Sequence, residues 1–109
     1  MDIKKLEAPT TTVTRDLIEL EKPTGNIYES IAIISKRAEQ ISVQLKEELM
    51  EKINEFSSNL DSLDEIFENR EQIELSKYYE RLPKPTLLAI QEFLEGKTYF
   101  RKPEEEELN

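Results

Sequence analysis

Ile27, Ile31, Ile34, Ala38, Ile41, Leu45, Leu49, Ile53 and Phe56 recur at gaps of 4, 3, 4, 3, 4, 4, 4 and 3 residues. The mean is close to the 3.6 residues of an α-helical turn, so the spacing predicts one long amphipathic helix. Asn26 is a strong N-cap, because its side-chain carbonyl accepts from the first free backbone N–H groups. Glu29, three residues on, is placed to reach back to the N–H of the cap. A helix from Asn26 to about Phe56 is a rod of about 45 Å at 1.5 Å per residue. Whatever else the chain does, it must fold around that rod.

The two halves of the rod differ. Between Ile27 and Ala38, the residues Tyr28, Ala32, Ile33 and Ser35 widen the apolar band beyond one stripe. After Ile41 the other faces carry Lys46, Glu47, Glu48, Glu51 and Lys52. A helix apolar around much of its circumference is buried on more than one side. Either the extra residues are ordinary core, or one face packs at home and the other receives a partner. The small residues Ala32, Ser35 and Ala38 would let a second backbone come near.

Residues 25–41, GNIYESIAIISKRAEQI, resemble the signature helix of the omega subunit of bacterial DNA-directed RNA polymerase. The features that match are the Gly-Asn opening, the aromatic-acidic pair Tyr28-Glu29, the aliphatics Ile31, Ile33 and Ile34, and Lys36-Arg37-Ala38 with Gln40. Ile27 departs, since the family carries a basic residue there. Residues 84–97, KPTLLAIQEFLEGK, are similar to the second signature of that family, a Lys and Thr opening a short aliphatic helix that ends in Gly. The two blocks cover 31 of the 109 residues and leave 42–83 outside the resemblance.

The resemblance implies a non-catalytic subunit that clamps the C-terminal region of the largest subunit, β′, within a complex with β and two α subunits. Assembly and stability of the core enzyme would be its task, with nucleotidyl transfer and magnesium left to the large subunits. The implied contact comprises Asn26, Tyr28, Ile31, Ala32, Ile34, Ser35, Lys36, Arg37, Ala38 and Ile41 on the first block. Lys84, Thr86, Leu88, Ala89 and Phe93 would join it from the second. Lys36 and Arg37 stand out in so acidic a chain, either keeping the helix soluble or meeting acidic groups and backbone carbonyls of the partner. A free-standing acidic helical adaptor that binds a basic partner is the alternative.

Composition narrows the rest. The chain has no Cys and no His, which excludes disulfides, thiolate sites and histidine acid–base chemistry. Charged residues make up 36% and the formal net charge is −9, against sequence-independent binding to nucleic-acid phosphates. Its longest apolar runs, 31–34 and 87–90, are far short of a membrane span. A cytoplasmic protein is expected, associated with the nucleoid only through the polymerase. The glycines Gly25 and Gly96 form no phosphate loop, the serines lack an activating base, and the glutamates are expected on solvated helix faces. No catalytic residue, metal or cofactor is expected.

The predicted fold is all-α, a small open helical domain with one long central helix. Residues 1–13 read as a flexible arm and 101–109 as an acidic disordered tail, with the helical domain at 14–100 and a middle insertion at about 57–83. Thr14 is placed to cap a short helix over 15–20, with Leu17, Ile18 and Leu20 to bury. Pro23, Thr24 and Gly25 turn the chain into the long helix. Ser57, Ser58 and Asn59 are expected to break that helix, and Asp61 to cap a middle helix bearing Leu63, Ile66, Phe67, Arg70 and Ile73. Six carboxylates between 61 and 74 face a single Arg70 and read as a solvated helix surface or, less commonly for such a run, a surface for a basic partner. Pro83 and Pro85 stop the helix and favour an extended path through Tyr78 and Tyr79. A last helix over 85–95 ends at Gly96, and residues 98–100 form a strand-like run.

Overall fold

Among the described residues four helices in chain order, α1 (Leu17–Glu21), α2 (Ile27–Asn59), α3 (Glu65–Arg81) and α4 (Pro85–Leu94), make up the fold. The computed structural model describes residues 6–59 and 65–101. Among these no strand occurs. Asp61, Leu63, the carboxylates at 61 and 64 and the tail from 102 lie outside the described residues, as do the side chains of Phe56, Ile66 and Phe67. The all-α architecture with one dominant helix is the predicted one.

The entry to α2 is built by its turn. Asn26 caps α2 as expected, its Oδ1 accepting from the N–H of Tyr28 at 2.9 Å and of Glu29 at 3.4 Å. The N–H of Asn26 itself donates to the Thr24 hydroxyl at 3.1 Å. That hydroxyl also lies 2.7 Å from the Ser30 hydroxyl, which is fully buried one turn inside the helix. Gly25 has φ +77°, and its N–H closes on the Glu21 carbonyl at 2.7 Å. A positive φ is where glycine alone avoids a Cβ penalty.

Two boundaries differ from expectation. The cap of α1 is Asp16, whose Oδ1 accepts from Ile18 N–H at 2.9 Å, so the helix starts two residues later than Thr14 implied. Carboxylate and hydroxyl are both good caps, and local sequence does not rank two candidates so close together. Of its three apolar residues only Leu20 is buried, while Leu17 and Ile18 stay exposed. At the far end α2 runs through Ser57 and Ser58 to Asn59, since serine lowers helix propensity without forbidding it. Tyr78 and Tyr79 are also helical, lying in the last turns of α3 with their rings edge to face at 5.3 Å. Pro83 falls in the link after Arg81, and Pro85 opens α4.

The core sits where α4 crosses the first half of α2. Ile34, Ala38 and Ile41 of α2 pack with Leu88, Ala89 and Phe93 of α4, joined by Leu20 and by Leu6. Leu6 belongs to the stretch read as a flexible arm; it is buried in this cluster. Phe100 covers the edge, its ring 6.2 Å from that of Phe93. Beyond Leu45 the packing thins, and α3 meets α2 through contacts such as Lys52 Nζ over the Tyr79 ring at 5.7 Å. The molecule measures 64 × 34 × 18 Å, so its thin dimension is under two helix diameters of about 10 Å. It is a single open layer.

Candidate interaction surface

An ion pair joins α4 to α2 beside their apolar core. Glu92 is buried, and its carboxylate takes Arg37 Nε at 2.6 Å on one oxygen and Arg37 Nη2 at 3.1 Å on the other. The Thr98 hydroxyl donates to the same carboxylate at 3.2 Å, and the backbone N–H of Lys97 bonds the Glu92 carbonyl at 3.0 Å. Arg37 Nη1 reaches back to Gln40 Oε1 at 3.2 Å. A bidentate guanidinium–carboxylate pair sets orientation as well as contributing energy. The Gly96 turn then carries the chain out along α2; there Gln91 and Lys97 hold the exposed Glu95 carboxyl below its ordinary pKa.

Burial sorts the expected contact residues into two groups. Ile34, Ala38, Ile41, Leu88, Ala89 and Phe93 lie in the chain's own core and present almost nothing to a partner. Arg37, expected to meet an acidic group on a partner or to stay solvated, meets Glu92 of its own chain. Asn26, Tyr28, Ile31, Ala32, Ser35, Lys36, Lys84 and Thr86 remain exposed. Of these, Tyr28, Ile31, Ala32 and Ser35 fall at helical spacing on one flank of α2, with Tyr28 80% and Ile31 50% accessible. An exposed tyrosine and isoleucine beside two small side chains form an apolar strip that no described element covers. Lys84 and Thr86 stand apart, at the start of α4.

Two residues escaped the sequence reading. Composition puts Glu92 among solvated glutamates, yet it follows Leu88 by four residues on the apolar face of α4, where a carboxylate needs a partner. Ser30 occupies the buried stripe between Ile27 and Ile34, where its hydroxyl needs the Thr24 bond. Among the described residues no group of three or more acidic, Cys or His side chains is placed to hold a metal ion. No helix among the described residues is long and apolar enough to cross a membrane.

A small open helical layer, with an internal ionic latch and an uncovered apolar strip, is the build of a subunit in a larger assembly. The family model described as RNA polymerase Rpb6 matches residues 19–73, just over half of the chain, and the chain belongs to that family. It is an RNA polymerase subunit of the omega/Rpb6 type, and transcription is its setting. None of the curated proteins compared with the chain matches it. The matched stretch takes in the first signature block and continues through residues 42–73, which the two-block resemblance had left aside. The second block lies outside the match and joins the first through the Arg37–Glu92 pair.

Proposed function

We propose that this chain is a non-catalytic, omega-type polymerase subunit that clamps the C-terminal region of the largest subunit, β′, and favours assembly of the core enzyme with β and two α subunits. The observation that carries the proposal is the strip of Tyr28, Ile31, Ala32 and Ser35 on the best-packed part of α2. Covering such a strip releases roughly 25 cal/mol per Å² of apolar area. A subunit that binds only the assembled form stabilises it by mass action. Holding one end of a long chain also removes conformations that compete with correct assembly. Direct contact with nucleic acid is not part of this role, and the chain would act in the cytoplasm, at the nucleoid only through the polymerase.

The rival reading, an acidic adaptor for a basic partner, rests on the net charge of −9. Salt separates the two, because screening weakens exposed charge pairs and leaves apolar burial intact. A tagged copy expressed at native level should bring down the large polymerase subunits at fixed stoichiometry and keep them at high salt. Loss of the polymerase during a high-salt wash, or recovery of a different basic protein alone, would overturn the clamp.

A further inference from the structure

Arg15 stands just before α1, half-buried, and two of its guanidinium nitrogens, Nε and Nη2, are buried without a hydrogen-bond partner. Arginine has donors only and keeps its charge, so a buried guanidinium is normally paired. The chain is rich in acceptors, with 24 Asp and Glu against 15 Lys and Arg. None of the described residues supplies one to these two nitrogens. Asp16, next in sequence, turns its Oδ1 to the N–H of Ile18 as the cap of α1. Arg37 shows what the same edge does when satisfied, its Nε and Nη2 gripping the two oxygens of Glu92. That edge is where a guanidinium takes a carboxylate in a two-toothed pair.

The residues next to Arg15 in sequence include apolar side chains that also lack cover. Leu17 is 63% and Ile18 65% accessible, and Val13 is exposed as well. Of the apolar residues of α1 only Leu20 turns into the core. We propose that Arg15, with Val13, Leu17 and Ile18, forms a docking surface for a segment of another protein in which a carboxylate sits between apolar side chains. The carboxylate takes the Nε–Nη2 edge of Arg15, which a half-buried side chain brings outward by rotation about its own bonds. The apolar flanks of that segment then cover Leu17 and Ile18, and Arg is a residue enriched at such interfaces. Glu7, Asp16, Glu19 and Glu21 are exposed in the same stretch of chain, so a multiply charged phosphate or a nucleic acid is repelled. A second copy brings the same acidic stretch and is opposed for the same reason. None of this depends on the polymerase clamp.

Selection of a displayed library of random short peptides against the full-length chain tests the assignment. Recovered peptides should share a Glu or Asp flanked by aliphatic or aromatic residues. In the synthetic consensus peptide, replacing that acid by its amide should weaken binding at least about tenfold, and Arg15→Gln in the chain should do the same. In heteronuclear NMR spectra the Nε–H signal of Arg15 should move when the peptide binds. Inorganic phosphate at the same concentration should leave that signal in place. Arg15→Gln should melt no lower than the parent chain, because it gives up no bond at home. A selection without an acidic–apolar consensus, or a consensus peptide that binds Arg15→Gln unchanged, would overturn the proposal. So would an equal response to phosphate, or a dimer of the chain that excludes the peptide. A large drop in the melting temperature of Arg15→Gln would overturn it too, by showing that the guanidinium is already satisfied within its own chain.

Discussion

Arg37 and Glu92, 55 positions apart in sequence, meet in a two-toothed ion pair with the carboxylate buried and the guanidinium about a quarter exposed. The pair joins the two signature blocks, tying α4 to α2 at the edge of the core. Breaking such a pair from one side leaves an uncompensated buried charge and costs about 3–5 kcal/mol, whereas replacing both partners by apolar residues is often close to neutral. Arg37→Met alone should therefore destabilise strongly in urea unfolding. Arg37→Met combined with Glu92→Leu should recover most of the loss. A double variant no better than the single one would show that Arg37 acts through something other than Glu92.

The turn before α2 depends on a single hydroxyl. Thr24 Oγ accepts from Asn26 N–H and lies 2.7 Å from both the Asn26 carbonyl and the buried Ser30 hydroxyl. Thr24→Val keeps the shape and removes the hydroxyl, leaving the buried Ser30 hydroxyl without that partner at about 1–3 kcal/mol. Thr24→Ser should cost much less. Gly25→Ala meets open space, since nothing lies within 4 Å of an added Cβ. Its expected penalty of about 1 kcal/mol comes only from the positive φ. Thermal melts of the three variants rank these contributions directly.

Stability and binding should come apart along α2. Leu88 and Ile41 are almost fully buried, so Leu88→Ala or Ile41→Ala should cost about 2–5 kcal/mol. Tyr28 is 80% accessible, and Tyr28→Ala should change stability by less than about 0.5 kcal/mol. Under the clamp reading Tyr28→Ala and Ile31→Asp nevertheless lose the polymerase in a pull-down. Full recovery of polymerase by a folded Ile31→Asp variant would remove the apolar strip from the interface.

What could be read in the sequence was whatever periodicity and capping control. The rod, its Asn26 cap, the Gly96 stop and the α4 stripe all follow from local spacing. Which side of an apolar band faces home does not, because Ile31 and Ile34 look alike until α4 is placed over one of them. Ile34 then becomes core and Ile31 stays half exposed. The same limit hid Glu92, whose partner lies on another helix, and Leu6, which lies in a stretch without periodicity. The spacing puts the core residues and the exposed strip on one helix without separating its inner face from its outer one.

The last prediction concerns order along α2. Residues 30–41 are backed by α4, Leu20 and Leu6, whereas from 46 to 55 the helix has no fully buried residue. Local opening free energy follows the density of buried apolar contacts, so the two halves should protect their amides unequally. Hydrogen exchange on the isolated chain should show slow amides over 34–41 and fast ones over 46–55. Adding the partner should raise protection first at 28–35, the apolar strip, because a ligand specific for the folded state suppresses opening where it binds. Uniform protection from Ile27 to Glu55 in the free chain would mean that α3 packs more firmly than its sparse contacts with α2 suggest. Protection that rises only at 46–55 on binding would move the interface to the second half of the rod.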